Sequence, residues 1–229
     1  MKAAGRLPCP PLLLATAALM PAALWAAFLY APEEKVMGPV QRIFYFHVPS
    51  AAVTFASVLV LAVASVVHLT TRRRIWDHVA LAATEIGLVF CTIVLVTGPI
   101  WAKSAWGAWW TWEARLTTTL VLWLLLAAIL MVRGYAESRD QAARLAAVLG
   151  IVAALDVPIV YKAVDWWRGQ HPVVFRPGRE GALAPEMLVA FLFCLIVFFL
   201  LYASLLCLRV RLLDLRERAR DLSESLGER

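Results

Sequence analysis

Six stretches of this chain, at 12–30, 48–69, 79–100, 117–132, 142–164 and 184–208, are strongly apolar and almost free of charge. Each is near the length a helix needs to cross a bilayer, roughly 17–25 residues. The shortest is the fourth. Residues are 62% hydrophobic and 17% charged, where a soluble domain is about half apolar and about a quarter charged. One soluble core cannot hide that excess, so lipid is the expected solvent. The predicted fold is an all-α integral membrane bundle of six transmembrane helices. It forms a single membrane domain over 1–229, with a tryptophan-rich segment between helices 3 and 4. The first run, behind Lys2 and Arg6, has the look of a signal peptide, but it is long for one. Tyr30-Ala31-Pro32 is also a poor cleavage site, so it is read as a retained span.

The net charge of +6 sits between the apolar runs, which argues for membrane orientation and against a nucleic-acid partner. With six spans both termini share a side. That side carries fourteen Lys and Arg residues, including Arg72, Arg73, Arg74, Arg133, Arg139 and Arg144, against eight on the other. This bias predicts cytoplasmic termini and three outward segments, 31–47, 101–116 and 165–183. The tail 209–229 mixes Arg with Asp and Glu and reads as a solvated helical extension at the cytoplasmic surface. Cys9, Cys91, Cys194 and Cys207 show no CxxC and no metal-ligand spacing, so no disulfide is expected.

The outward segments hold the unusual chemistry. Trp101, Trp106, Trp109, Trp110 and Trp112 fall within twelve residues. Read as a helix from Trp106, the run sets Trp106, Trp109, Trp110 and Glu113 on one face. Tryptophan favours the membrane–water boundary, but this density suits a shelf for a large planar apolar ligand. Of the four histidines, His68 and His78 flank the Arg72–Arg74 cluster, and solvated or interfacial roles are expected for them. His47 and His171 lie on the outward side with the tryptophans. Neutral imidazole is a good ligand for heme iron, and two imidazoles from different segments can take opposite sides of a porphyrin. Arg42 and Arg115 are the candidates for the propionates, because guanidinium engages carboxylate bidentately. Glu113 fits three roles: orienting Arg115, orienting a Trp N–H, or capping the fourth span.

The run Trp106-Gly107-Ala108-Trp109-Trp110-Thr111-Trp112-Glu113-Ala114-Arg115-Leu116-Thr117 resembles the signature of the tryptophan-rich heme-handling proteins of cytochrome c biogenesis. Tyr45-Phe46-His47-Val48-Pro49-Ser50, Val164-Asp165-Trp166-Trp167 and His171-Pro172, in a six-span chain, narrow the resemblance to the heme exporter protein C (cytochrome c maturation protein C) family. The resemblance implies that His47 and His171 are axial ligands to a noncovalent, transient heme b. It also implies that Trp106, Trp109, Trp110 and Trp112 form its platform on the periplasmic side of a bacterial inner membrane. The implied role is heme transfer, not catalysis. The implied partners are the periplasmic heme chaperone (cytochrome c maturation protein E), ABC-type ATPase and permease subunits A and B, and the small single-span protein D. The family motif usually has Asp where this chain has Glu113. The charge is kept, but the side chain reaches farther.

Glu85 and Asp156 fall inside apolar runs, where a carboxylate suggests function, unless the two pair with each other. The rival class is a membrane b-type cytochrome subunit linked to quinone. Its ligands would lie inside facing helices, whereas His47 and His171 stand at a span boundary. A hydrolase is disfavoured by the lack of HExxH and GxSxG.

Overall fold

The computed structural model describes residues 9–167 and 183–227. It is all-helical. The six helices are α1 (Cys9–Trp25), α2 (Phe44–Thr71), α3 (Arg74–Trp106), α4 (Ala114–Tyr135), α5 (Arg139–Trp167) and α6 (Pro185–Gly227). Every one is long and apolar enough to cross a membrane. A π-helical turn, Ala26–Tyr30, continues α1, and a 3-10 turn, Pro39–Ile43, leads into α2. α3 and α6 outrun the bilayer: at 1.5 Å per residue they are about 50 Å and about 64 Å long, against about 30 Å of hydrocarbon. α6 therefore carries the charged tail as one continuous helix.

Short polar breaks reverse the chain. α2 stops where Arg72 takes the left-handed conformation, φ 56°, and α3 starts two residues later. Between α4 and α5, the Ser138 hydroxyl accepts the Gln141 N–H at 3.2 Å, capping the start of α5. α1 and α6 run antiparallel, and their register is marked three times. Cys9 is disulfide-bonded to Cys207, Thr16 and Ser204 share a hydrogen bond of 2.8 Å, and the Cys194 thiol approaches the Ala23 carbonyl at 3.6 Å. The disulfide corrects the sequence expectation. Its partners are 198 residues apart, so only the pairing of the two terminal helices reveals them.

α2 is the hub and packs against α3, α5 and α6. Lipid-like surroundings supply little hydrophobic drive between helices, so close backbone approach and dispersion must do that work. Small residues permit it. A Cβ on Gly87 of α3 would lie 3.0 Å from the Ser57 Cβ. One on Gly150 of α5 would lie 2.9 Å from Leu61 Cδ1 and from Ser65 Oγ. On α5, Gly150 continues a stripe of buried Ala143, Ala146, Ala147 and Ala153.

Charges near the arginine-bearing end are paired across helices. Glu85 of α3 holds Arg209 of α6 through two contacts, the Nη2–Oε1 distance being 2.6 Å, so Glu85 is not paired with Asp156. Arg133 of α4 pairs with Asp77 of α3. His68 and His78, expected to be solvated or interfacial, are buried, at 5% and 8% exposure. The His68 Nδ1 lies 3.3 Å from the Arg73 carbonyl, and the His78 Nε2 lies 3.2 Å from Glu217 of the tail. Part of the tail is therefore packed against the bundle.

Gly150→Val tests the α2–α5 contact. Overpacking of this kind costs roughly 1–3 kcal/mol, so the variant's thermal unfolding midpoint in detergent is expected to fall, while Gly134→Ala, with nothing within 4 Å of its Cβ position, leaves it unchanged.

Candidate functional site

The polar and aromatic residues singled out by sequence gather where α2, α4 and α6 begin and α3 and α5 end. His47 sits in the first turn of α2, half-buried. Its ring lies along α3: a Cβ on Gly98 would come within 3.2 Å of the His47 Cε1. The Nδ1 is 2.9 Å from the Thr97 hydroxyl. That hydroxyl has one proton and donates it to the Ile93 carbonyl at 2.7 Å. Toward His47 the hydroxyl must therefore accept, so Nδ1 carries the hydrogen of this contact. Metal-binding histidines are prepared in this way, the second ring nitrogen donating to a neighbour that fixes tautomer and orientation.

The tryptophan segment departs from its expected shape. α3 ends at Trp106, because Gly107 takes φ 74° and its N–H returns to the Lys103 carbonyl at 3.1 Å, a left-handed C-terminal stop. Residues 107–113 are non-helical, so Trp106, Trp109, Trp110 and Glu113 do not share a helical face. Trp101 and Trp106 meet edge-on with centroids 5.2 Å apart, as do Trp110 and Trp112 at 5.6 Å. Trp109 and Trp112 are 58% and 71% exposed, and Trp106 and Trp110 are half-buried. Trp112 has φ 53°, a conformation that is strained for a bulky side chain and that concentrates at functional sites. Across the same end, Trp166 and Trp167 of α5 are also exposed.

Arg115, in the first turn of α4, donates from Nη2 to the Tyr161 carbonyl of α5 at 2.9 Å. This ties the end of the tryptophan loop to the end of α5. Its Nε–H and the Nε1–H of Trp110 are buried without a hydrogen-bond partner among the described residues. Both are donors suited to the oxygens of an acidic ligand. Arg42, on the 3-10 turn, makes no ion pair among the described residues. Glu113 occupies the N-cap position of α4 by backbone, and its side chain makes no capping hydrogen bond. Its carbonyl accepts from the N–H and the hydroxyl of Thr117 at 3.0 Å each. His171 lies outside the described residues.

The family model for heme exporter protein C matches residues 1–225. The chain belongs to the heme exporter protein C family. Relatives with that name are 35% identical over 215 residues in Bradyrhizobium diazoefficiens, covering 93% of this chain and 81% of the relative. In Escherichia coli K12 the identity is 33% over 198 residues, covering 86% and 80%. In Rhodobacter capsulatus it is 31% over 214 residues, covering 92% and 88%.

Within this heme exporter C chain, Thr97 and Gly98 pack against His47 in the candidate site, and sequence reading passed over both. The available signal was a Thr-Gly-Pro step, Thr97-Gly98-Pro99, just before Trp101. If Thr97 orients the ring, Thr97→Val keeps the shape and removes the acceptor. Loss of such a partner costs roughly 10–100-fold in metal affinity. Heme titration of the detergent-solubilised variant is expected to show a weakening in that range, with Thr97→Ser restoring it.

Proposed function

We propose that this membrane protein binds heme through His47 and His171, supports it on the tryptophan segment, and hands it to a periplasmic heme chaperone for cytochrome c maturation. The single observation that carries this reading is the Thr97–His47 contact. It orients an imidazole, with Nδ1 as the donor to Thr97, at the tryptophan-bearing end of a heme exporter C bundle. Neutral imidazole is the form that binds heme iron. His171 follows Trp167, the last residue of α5, by four residues in sequence.

A porphyrin presents a broad apolar face, which exposed Trp109 and Trp112 suit, and two carboxylates, which suit Arg42 and the Nε–H of Arg115. Trp106 and Trp110, half-buried, fix the root of that platform, and Glu113 sets the start of α4 beneath it. In this reading the heme is noncovalent heme b, held as cargo. The protein acts by transfer rather than catalysis. The excess of Lys and Arg at the other end supports a bacterial inner-membrane orientation with both termini cytoplasmic and the heme site periplasmic. Chaperone E, ATPase and permease subunits A and B, and small protein D are the proposed partners.

The test is an absorption spectrum of detergent-purified protein with a readout of chaperone loading. Wild type is expected to copurify with heme and show the two-histidine signature, and His47→Ala combined with His171→Ala to lose it along with loading. Unchanged spectra in that double variant would falsify the ligation. Trp109→Ala with Trp110→Ala is expected to insert normally but to lower heme retention or transfer. Wild-type cytochrome c yield in this second variant would reduce the indoles to membrane anchors.

A further inference from the structure

The arginine-bearing end of the bundle carries an open-mouthed cavity of about 410 Å³ between the starts of α3 and α5, the end of α4 and the outer part of α6. Its wall holds five arginines against three carboxylates, Asp77, Glu137 and Glu217. Three of the arginines are engaged. Arg133 pairs with Asp77. Arg74 lies 2.7 Å from Asp140 and 3.7 Å from Glu217. Arg139 lies 3.9 Å from Glu224. Arg216 and Arg220 are exposed and have no carboxylate partner among the described residues. Asp140 and Glu224 bring the carboxylates to five, equal to the arginines, but Arg216 and Arg220 stay unpaired and present two free guanidinium groups on the α6 side.

Backbone and buried atoms add to it. The N-termini of two long helices, α3 and α5, border the cavity, and each contributes a partial positive charge. His78 is 8% exposed. Its Nε2 faces Glu217, and its Nδ1 is buried without a hydrogen-bond partner among the described residues. The Nε–H of Arg133 is buried and unpartnered as well. Orphaned buried polar atoms are uncommon in a folded protein. Here two of them belong to the wall of one cavity that also carries the unpaired Arg216 and Arg220.

We propose that this cavity binds a phosphate group, supplied by the headgroup of an anionic membrane lipid. The lining decides between a lipid and a soluble phosphate compound. Leu81, Ala142 and Leu213 add apolar surface to the lining, and the cavity adjoins the arginine-bearing ends of the apolar runs of α3 and α4, which is headgroup depth. The volume exceeds that of a lone phosphate and leaves room for the glycerol stem. Basic pockets between transmembrane helices are known to take such headgroups. A bound phosphate would bridge Arg216 and Arg220 of α6 to Arg133 of α4, clamping the α6 extension onto the bundle.

The test uses the full-length protein in detergent, titrated with cardiolipin, phosphatidylglycerol or phosphatidylcholine and read by native mass spectrometry. Anionic lipids are expected to bind in preference to phosphatidylcholine. R216Q/R220Q is expected to lower their affinity about thirtyfold, from the loss of two interfacial cations. Both side chains are exposed and unpaired, so helix content and heme absorption should stay at wild-type values, separating this site from the heme site. The lipid ranking on wild type tests the proposal even if the variant misfolds. Equal binding of phosphatidylcholine, or unchanged affinity in the variant, overturns the site. Saturable binding of inorganic phosphate without any anionic-lipid preference overturns the lipid assignment in favour of a soluble phosphate compound.

Discussion

The close approach of α2 and α3 fixes the geometry on which the rest of the structure depends. Gly87 lets the two backbones meet at Ser57. From there the helices run antiparallel for ten residues each, about 15 Å at 1.5 Å per residue. At the end of that run His47 faces Thr97 and packs against Gly98. A small-residue contact inside the membrane thus sets the register that aims an imidazole at its surface. Gly150 repeats the device against Leu61 and Ser65, holding α5, and with it the Tyr161 carbonyl that receives Arg115, to the same hub.

The two ends of the bundle are built for different tasks. At one, seven residues of non-helical chain carry indoles outward, with Gly107 and Trp112 in the left-handed region shaping the loop. At the other, the interhelical pair Arg133–Asp77 lines a cavity, and Glu85–Arg209 joins α3 to α6. Unpaired charge is costly within the membrane, and pairing lets α6 carry Arg209 directly after its apolar run. The Cys9–Cys207 link, buried at Cys9, joins α1 to α6 at this second end.

Much of the fold was legible in the chain because lipid imposes a simple rule: every backbone group must be satisfied within the segment. Six apolar runs therefore became six helices. His47 stood out because a polar ring at a span boundary is conspicuous. The shape of the tryptophan segment was misread because a 3.6-residue spacing of indoles fits a helix as well as a loop, and Gly107 was the overlooked stop signal. Thr97 was hidden among ordinary span threonines, whose hydroxyls bond back to the helix, as Thr84 and Thr92 do here. The Cys9–Cys207 pair and the burial of His68 and His78 depend on contacts between distant segments, which local pattern does not encode.

The proposed heme chemistry rests on Nε2 of His47 meeting iron opposite a second imidazole. Electron paramagnetic resonance of the oxidised wild-type protein reads this directly, because two axial imidazoles leave ferric heme low-spin. The account expects a low-spin ferric signal typical of two-histidine ligation. A predominantly high-spin signal from fully heme-loaded protein would contradict it.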